Sequence, residues 1–270
     1  MGVEKTSRPE LRLVGHKKEG YGISWNQHEK GHLISASEDG SICMWDINAN
    51  TVEENRVLQA LRIFNTEQVV EDVDWHPKHS YMFASVGDDR RLMLWDTRES
   101  SNNTASKSVL AHSSEVNCVK FNPKSEYLVA TGSTDTTIAL WDIRKISSKL
   151  HTLETHTGEI LQLEWMSSTQ PTASPTILAS SSGDRRVNVW DISRIGDEQS
   201  VEDAADGPPE LLFVHGGHTS RVCDISWNFN EPWTMCSVAE DNVVQVWQMS
   251  SNIYGGGDQL VEDRMVTDDQ

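Results

Sequence analysis

The sequence has few of the features that mark several large classes of protein. Its 4 cysteines in 270 residues show no paired spacing for zinc or for a disulfide framework. No apolar run approaches the ~18 residues that would span a membrane, and no glycine-rich nucleotide-binding loop is present. Basic residues are also scarce, since 23 Lys and Arg face 41 Asp and Glu, a net charge of -18. We therefore expect no cofactor, no membrane association and no direct nucleic-acid binding, but a basic partner.

Trp, by contrast, is frequent and regularly placed. Five Trp residues, four of them in Trp-Asp pairs, are separated by 50, 46, 49 and 57 residues. Six residues before each of them is an Asp, and four residues before each Asp is a Ser or Thr. A His lies further upstream in four of the five units, and Thr66 takes its place in the second. The repeated set is His16, Asp39, Trp45, Asp89, Trp95, His112, Asp135, Trp141, His156, Asp184, Trp190, His218, Asp241 and Trp247.

Short β-type runs and turns fill the space between these markers. A repeat of ~40 to 45 residues with a Gly-His start and a Trp-Asp finish is typical of a four-stranded β-propeller blade. His, Asp and a hydroxyl are also the ingredients of a catalytic triad. Because the set recurs five times, we interpret it as a hydrogen-bond network that fastens each blade. No other constellation predicts an enzyme, and no group of residues predicts a metal site.

Offsets from the repeat His and Asp predict which residues face one mouth of the propeller channel. These positions hold six Glu and one Asp among fifteen residues, with one Arg, so we expect an acidic mouth that suits a basic peptide. They are Glu19, Val69, Glu115, Glu159, Arg221, Tyr21, Glu71, Asn117, Leu161, Cys223, Glu38, Asp88, Thr134, Gly183 and Glu240. The alternative is a rim that only carries solvated charge.

A second acidic feature is the connection between Trp190 and His218. The stretch "VEDAADGPPELLFVHGG" (201–217) crowds carboxylates before a Pro-Pro pair and an apolar run. The two prolines restrict the loop. Carboxylates beside an apolar strand favour docking of an amphipathic basic helix, although a solvated loop without a partner is the alternative.

Four stretches resemble one family closely: "GHKKEGYGISWN", "VVEDVDWHP", "AHSSEVNCVKFNPKSEYLVATGSTDTTIALWDIR" and "EDAADGPPELLFVHGGHT". The chain is similar, from about Leu11 to Tyr254, to the retinoblastoma-binding histone chaperones. These are WD-repeat proteins, among them the small subunit of chromatin assembly factor. The resemblance implies a nuclear, non-catalytic scaffold within chromatin assembly, deacetylase, remodelling or Polycomb complexes. The competing hypothesis is a generic WD-repeat adaptor in ubiquitin ligase or ribonucleoprotein assembly.

The resemblance also implies two binding sites. A helix of histone H4 would bind at the Pro-Pro loop, where Asp203 and Asp206 take an arginine while Phe213 and Ile253 give apolar contacts. Basic tails of histone H3 or of corepressors would bind at the channel mouth. The matching residues there are Glu19, Tyr21, Glu71, Asp88, Asn117, Glu159, Arg221 and Glu240.

The domain organisation departs from that family. We expect a disordered leader at 1–10, a propeller domain at 11–254 and an acidic disordered tail at 255–270. The repeats fall at about 11–64, 65–110, 111–154, 155–210 and 211–254. Five blades of a seven-blade ring are thus recognisable, without the N-terminal helix and first two blades, which suggests a fragment or an alternative product. The opening "ELRLV" either closes the ring against Val243 to Trp247 or leaves an open arc.

Overall fold

A computed structural model describes residues 9–49, 57–101, 104–167 and 174–254 of the chain. The chain divides into two compact units, of which the first ends at Thr152 and the second begins at Leu153. The predicted disordered tail, and the predicted leader apart from residues 9 and 10, lie outside the described residues. None of the described helices has the length and apolar character of a membrane-spanning segment.

The first unit is built from short strands. In chain order they are β1 (Arg12–Val14), β2 (Ile23–Trp25), β3 (His32–Ala36), β4 (Ser41–Asp46), β5 (Val57–Gln59), β6 (Arg62–Asn65), β7 (Val70–Trp75), β8 (Met82–Gly87), β9 (Arg91–Asp96), β10 (Lys107–Leu110), β11 (Val116–Phe121), β12 (Leu128–Ser133), β13 (Ile138–Asp142) and β14 (His151–Leu153), in which the boundary falls. They form sheet 1 (β2, β3, β4, β6), sheet 2 (β7 to β10) and sheet 3 (β11 to β14). Neighbouring strands run antiparallel, as where Leu33 lies opposite Trp45.

The second unit repeats the same pattern. Its strands are β15 (Ile160–Trp165), β16 (Ile177–Ser182), β17 (Val187–Asp191), β18 (Leu211–His215), β19 (Val222–Trp227), β20 (Thr234–Ala239) and β21 (Val244–Gln248), followed by the helix α1 (Ser251–Tyr254). Sheet 4 contains β15 to β18, and sheet 5 contains β19 to β21, three strands within the described residues. The prediction of an all-β chain made of propeller-type sheets is confirmed.

The opening strand pairs with β5 and does not close the ring, which agrees with the open-arc alternative. β1 runs parallel to β5, with Arg12 opposite Val57 and Val14 opposite Gln59. It therefore does not supply a fourth strand to β21. The apolar side of this pair packs on Cys43 and Trp45 through Leu13 and Leu58.

The repeated Asp shapes a tight turn in every sheet. In each copy its carboxylate accepts the backbone N–H group two residues further on, at 2.9 to 3.1 Å. The residue between them has a positive φ, and this residue is Gly40, Arg90, Thr136, Arg185 or Asn242. Non-glycine residues rarely adopt this conformation, so the Asp bonds hold a backbone geometry that the side chains themselves disfavour.

Each sheet has two apolar faces that differ in composition. The Trp face carries the repeat Trp and the aromatic residue that ends the first strand, whereas the aliphatic face carries the residues one and three positions before the repeat Trp. Inside each unit the aliphatic face of one sheet packs on the Trp face of the next, so that Met44 of sheet 1 shares a buried cluster with Trp75 and Trp95 of sheet 2. Sheets 2 and 3 share a second buried cluster of this kind, and sheets 4 and 5 share a third.

Side-chain oxygens on the first strand of one sheet also accept backbone N–H groups from the first strand of the next. These inter-sheet bonds join Ser24 Oγ to Trp75 N (3.1 Å), Asp72 Oδ2 to Val119 N (3.0 Å), Asp74 Oδ2 to Phe121 N (2.9 Å) and Glu164 Oε2 to Trp227 N (2.7 Å). They satisfy donors that point away from their own sheet. Inter-sheet bonds therefore fix how consecutive sheets meet.

We expect Asp74→Ala to lower the free energy of unfolding by about 1–2 kcal/mol, because the Phe121 N–H loses its acceptor. Asp74→Asn keeps an oxygen at this position and should lower it less. Burial raises the pKa of Asp74 to about 6 despite the nearby Lys120. Urea unfolding of both variants measures the difference, and equal losses would show that the acceptor is unimportant.

Candidate functional site

Sheet 4 contains a continuous hydrogen-bond chain from its interior to its turn. Trp190 Nε1 donates to Ser180 Oγ (2.9 Å), which lies 2.8 Å from His156 Nε2. His156 Nδ1 lies 2.9 Å from the Asp184 carboxylate, which only accepts, so Nδ1 carries the ring proton. Burial opposes a low pKa for Asp184, but the His156 bond and charge lower it. The chain fastens the turn to the sheet and leaves no exposed nucleophile.

Sheet 3 repeats this arrangement. Trp141 Nε1 donates to Thr131 Oγ1 (3.0 Å), which lies 2.8 Å from His112 Nε2, and His112 Nδ1 lies 3.2 Å from Asp135. Burial would raise the pKa of Asp135, yet the Thr137 hydroxyl and backbone N–H groups lower it to about 2. The same geometry in two sheets supports a structural role.

The first two sheets keep only part of this chain. In sheet 1, His16 Nε2 lies 2.6 Å from Ser35 and its Nδ1 lies 3.6 Å from Asp39, while Trp45 Nε1 has no partner among the described residues. In sheet 2, Trp95 donates to Ser85 (2.9 Å). Thr66 replaces the His there and bonds the backbone oxygens of Gly40 and Gln68 instead. A cavity of about 10 Å³ lies beside Thr66, Ser85 and Asp89.

Sheet 5 keeps the inner half of the chain. Ser237 Oγ lies 2.7 Å from His218 Nε2 and accepts the Trp247 Nε1 hydrogen bond at 3.1 Å. Asp241 accepts the Thr219 hydroxyl at 2.7 Å, and within the described residues His218 Nδ1 has no hydrogen-bond partner. The link from His to Asp is thus missing in the last repeat.

The first unit gathers carboxylates at the end of the sheets where their first strands begin. We call Glu19, Tyr21, Glu38, Glu71, Asp88 and Glu115 the acidic cluster. Tyr21, with 65% of its surface exposed, points its hydroxyl at Glu38 (3.3 Å) and Glu19 (3.5 Å). Asn117 lies beside the cluster and accepts the Thr134 hydroxyl at 3.3 Å.

Carboxylates of the acidic cluster raise the pKa values of their neighbours in it. Burial raises the pKa of Glu71, and the charges of Asp88 and Glu38 raise it further. Burial and the charges of Glu115 and Glu38 likewise raise the pKa of Asp88. Glu38 and Glu19 raise the pKa of the Tyr21 hydroxyl. A cation placed among these groups would be attracted by all of them.

The second unit places the remaining predicted mouth residues around one arginine. Arg221 Nη2 lies 2.7 Å from Glu159, and its Nε lies 3.6 Å from Glu240. The arginine thus balances two of the carboxylates from which the sequence predicts negative charge. The negative charge predicted for these positions is therefore reduced in the second unit.

The Pro-Pro loop is compact and acidic. A short 3₁₀ turn spans Asp203–Ala205, and Asp203 accepts the Ser200 hydroxyl at 2.8 Å. Gly207 has φ +139, and a Cβ there would lie 2.8 Å from Leu211. Both carboxylates of the predicted pair, Asp203 and Asp206, are exposed.

The apolar residues predicted for the same site lie together. Phe213 on β18 and Ile253 on α1 pack against the buried cluster of sheets 4 and 5, and both are half-buried. The Phe213 ring lies 5.8 Å from that of Trp247, and Tyr254 stacks on Trp233 at 4.3 Å. The structure therefore offers a partly exposed apolar surface on β18 and α1, in the unit that carries the acidic loop.

Comparison with known families decides what the repeats are. The family model described as "WD domain, G-beta repeat" matches residues 7–46, 59–96, 104–142, 147–191 and 209–248. The chain belongs to the WD40 repeat family. WD40 repeats mediate contacts between proteins and are generally non-catalytic, so this WD40 chain is a scaffold or adaptor with protein partners.

His76 and His79 of the WD40 chain contact an acidic residue that is distant from them in the sequence. His79 lies 3.0 Å from Glu126, and His76 Nε2 lies 2.7 Å from the backbone oxygen of that residue. Across the described part of the chain, no group of three or more His, Cys, Asp or Glu is placed to hold a metal. This contact joins the loops of sheets 2 and 3.

Two members of the acidic cluster, Glu38 and Glu115, are missing from the site that the family resemblance implies. The signal for them is in the repeat offsets, because Glu38 precedes a turn Asp and Glu115 follows a repeat His by three residues. Their contribution is direct, since Glu38 bonds Tyr21 and both raise the pKa of Asp88. The WD40 repeat itself is therefore the better guide to this cluster.

Proposed function

We propose that this chain is a nuclear, non-catalytic scaffold that binds histones within chromatin complexes. A basic tail, such as that of histone H3 or of a corepressor, binds the acidic cluster. A helix of histone H4 binds the Pro-Pro loop and the surface of Phe213 and Ile253. The observation that carries the proposal is the acidic cluster, in which Glu19 and Glu38 face the Tyr21 hydroxyl and the pKa values of Glu71 and Asp88 are raised.

Electrostatics favour a cationic occupant for the acidic cluster. Like charges held close together destabilise each other, and a Lys or Arg side chain among them relieves that repulsion. Charge-assisted hydrogen bonds from the cation are stronger than neutral ones. The exposed Tyr21 ring adds a surface for the aliphatic stem of Lys or for the plane of Arg. A net charge of -18 also speeds the approach of basic segments.

The Pro-Pro loop supports the second site by its stiffness. Two prolines and the Gly207 contact with Leu211 limit the conformations of the unbound loop, so less conformational entropy is lost on binding. Exposed carboxylates precede the turn, and the apolar side chains of Phe213 and Ile253 lie in the same unit. An amphipathic basic helix presents the complementary pair of surfaces.

The direct test is fluorescence anisotropy with a labelled histone H3 tail peptide and with a copy in which Gln replaces every Lys and Arg. The proposal expects saturable binding of the basic peptide, weakened by salt, and none of the neutral copy. Absence of binding by the basic peptide at low salt would refute the H3 part of the proposal.

For the second site we expect Asp203→Ala with Asp206→Ala to weaken the binding of a histone H4 helix peptide about fivefold. A loss of this size is typical of exposed ion pairs. The melting temperature should hardly change, because both side chains are exposed. Asp197→Ala with Glu198→Ala removes the same charge from the same connection and serves as the control. Equal affinity for wild type and the first variant would count against the site.

Affinity purification from nuclear extract separates this proposal from a general adaptor role. Recovery of histones or deacetylase subunits is expected from the wild-type chain and not from a chain with both sites altered. Ubiquitin ligase or ribonucleoprotein subunits without histones would favour the adaptor role instead.

A further inference from the structure

The loop that joins β19 to β20 in the second unit contains an aromatic residue with an unusual backbone conformation. Trp233 has φ +68, although its side chain is among the largest in the chain and is buried in the cluster of sheets 4 and 5. A positive φ is uncommon for any residue other than glycine, and for a bulky one it is an outlier. Such a conformation persists only where surrounding contacts hold it.

The equivalent turn of sheet 1 shows which residue this backbone favours. The Asn26 carboxamide accepts two backbone N–H groups of its loop, both at 2.9 Å, and Asn228 does the same in sheet 5 at 2.9 and 3.2 Å. In each turn the backbone N–H of the Asn then donates to the residue that follows Gly31 or Trp233. Gly31 thus takes the Trp233 position, with φ +92. The turn itself favours glycine, so the indole ring of Trp233 serves something other than the turn.

Sheets 2 and 3 also have an aromatic residue at this position, and each covers it with a cation of its own sheet. The rings are those of Tyr81 and Tyr127. Arg98 Cζ lies 3.4 Å from the centre of the Tyr81 ring, and Arg144 Cζ lies 4.2 Å from that of Tyr127. Each arginine follows the repeat Trp of its sheet by three residues. The ring and its cover are therefore both local to one sheet.

Sheet 5 covers its ring in a different way. The residue three positions after its repeat Trp is Ser250, whose side chain is too short to lie over an indole. The ring of Tyr254, on α1, stacks on Trp233 instead, with ring centres 4.3 Å apart and ring planes 6° apart. The aromatic residue of this turn thus contacts the helix that follows the last sheet.

The helix α1 depends on contacts of this kind. Its described residues, Ser251–Tyr254, form a single turn, and helices shorter than about 12 residues are marginal in water without tertiary packing. Ile253 and Tyr254 both pack on the buried cluster of sheets 4 and 5. A stacked aromatic pair stabilises beyond the area that it buries. The stack on Trp233 therefore holds α1 against the sheets.

We propose that Trp233 is a positioning residue for the histone H4 helix site, an inference that rests on the proposed function. Trp233 holds Tyr254, and Tyr254 fixes α1. The helix in turn places Ile253 on the cluster that Phe213 also contacts. A chain with α1 undocked lacks half of the apolar surface, so the apparent dissociation constant rises in proportion to the undocked population.

Trp233→Gly tests the proposal on the full chain, because it removes the ring and supplies the residue that the same turn has in sheet 1. Glycine adopts a positive φ without steric cost, so the turn should close. Hydrogen exchange followed by mass spectrometry should show faster exchange in the fragment that contains Ser251–Tyr254. Binding of a histone H4 helix peptide, measured by anisotropy, should weaken about tenfold, while binding of the histone H3 tail peptide should not change.

Two further variants separate positioning from general stability. Trp233→Phe keeps a ring for the stack and should restore slow exchange and binding of the histone H4 helix peptide. Tyr254→Ala removes the other half of the stack and should match Trp233→Gly, and the two combined should lose no more affinity than either alone. Affinity losses that add up in the double variant would overturn the proposal.

Tyr127→Gly is the matched control, since it removes the aromatic residue from the same position of sheet 3. It should leave both the exchange of α1 and the affinity for the histone H4 helix peptide unchanged, and an equal loss of affinity would overturn the proposal. If the wild type binds this peptide and Trp233→Gly binds it equally well, the positioning role alone is wrong. If the wild type does not bind it, the proposed histone H4 site is wrong and the positioning role falls with it.

Discussion

His156→Ala is expected to lower the free energy of unfolding by about 2–4 kcal/mol, the combined cost of a hydrogen bond to a carboxylate and a hydrogen bond to a buried hydroxyl. The imidazole joins Ser180 to Asp184 at 2.8 and 2.9 Å, with 1% of its side chain exposed. Its removal leaves the Asp184 carboxylate, 5% exposed, without its main partner. Differential scanning calorimetry and urea unfolding should both show the loss.

His218→Ala is the matched control because the last repeat lacks half of this chain. His218 bonds Ser237 at 2.7 Å, and among the described residues its Nδ1 bonds nothing. Its removal should lower the free energy of unfolding by only about 1 kcal/mol, as for one neutral hydrogen bond. Equal losses in the two variants would mean that the link from His to Asp adds no stability.

Glu71→Gln combined with Asp88→Asn is expected to weaken binding of the histone H3 tail peptide about thirtyfold. This corresponds to roughly 2 kcal/mol for the charge-assisted hydrogen bonds lost in the acidic cluster. Both side chains have a raised pKa, by burial first and by neighbouring carboxylates second. They therefore take up protons at a higher pH than ordinary carboxylates. In the wild type, affinity should therefore begin to fall at a pH above the ordinary carboxylate range of about 4.

The control for this variant removes the same charge from the other end of the sheets. Glu29 and Glu231 are exposed and lie in the loops that follow β2 and β19. Glu29→Gln with Glu231→Gln should bind the peptide as the wild type does and show the same pH dependence. A loss of affinity equal to that of the cluster variant would indicate attraction by net charge alone. The acidic cluster would then not be a specific site.

Much of the fold can be predicted because the repeat fixes distances along the chain. Trp, Asp and the hydroxyl recur at constant offsets, and in four sheets the Trp donates to that hydroxyl. Pairing between distant segments has no such signal. The parallel pair of β1 and β5 and the inter-sheet bonds of Asp72 and Asp74 depend on which sheets become neighbours.

The candidate site is predictable only in part for the same reason. Repeat offsets find each mouth residue by its place in one sheet, including Glu38 and Glu115. They do not reveal that Arg221 reaches both Glu159 and Glu240, since that contact depends on two sheets and on the direction of a long side chain. The balance of charge in the second unit is therefore a property of the folded chain.

Zero-length carbodiimide cross-linking of the chain to a histone H3 tail peptide, read by mass spectrometry, tests most directly whether the acidic cluster binds a basic segment. This reagent joins a lysine to a carboxylate only where the two are in contact. Cross-links are expected at Glu38, Glu71, Asp88 and Glu115, with few at Glu29 and Glu231, although those two are exposed. Cross-links spread evenly over exposed carboxylates, or absent from the acidic cluster, would contradict it.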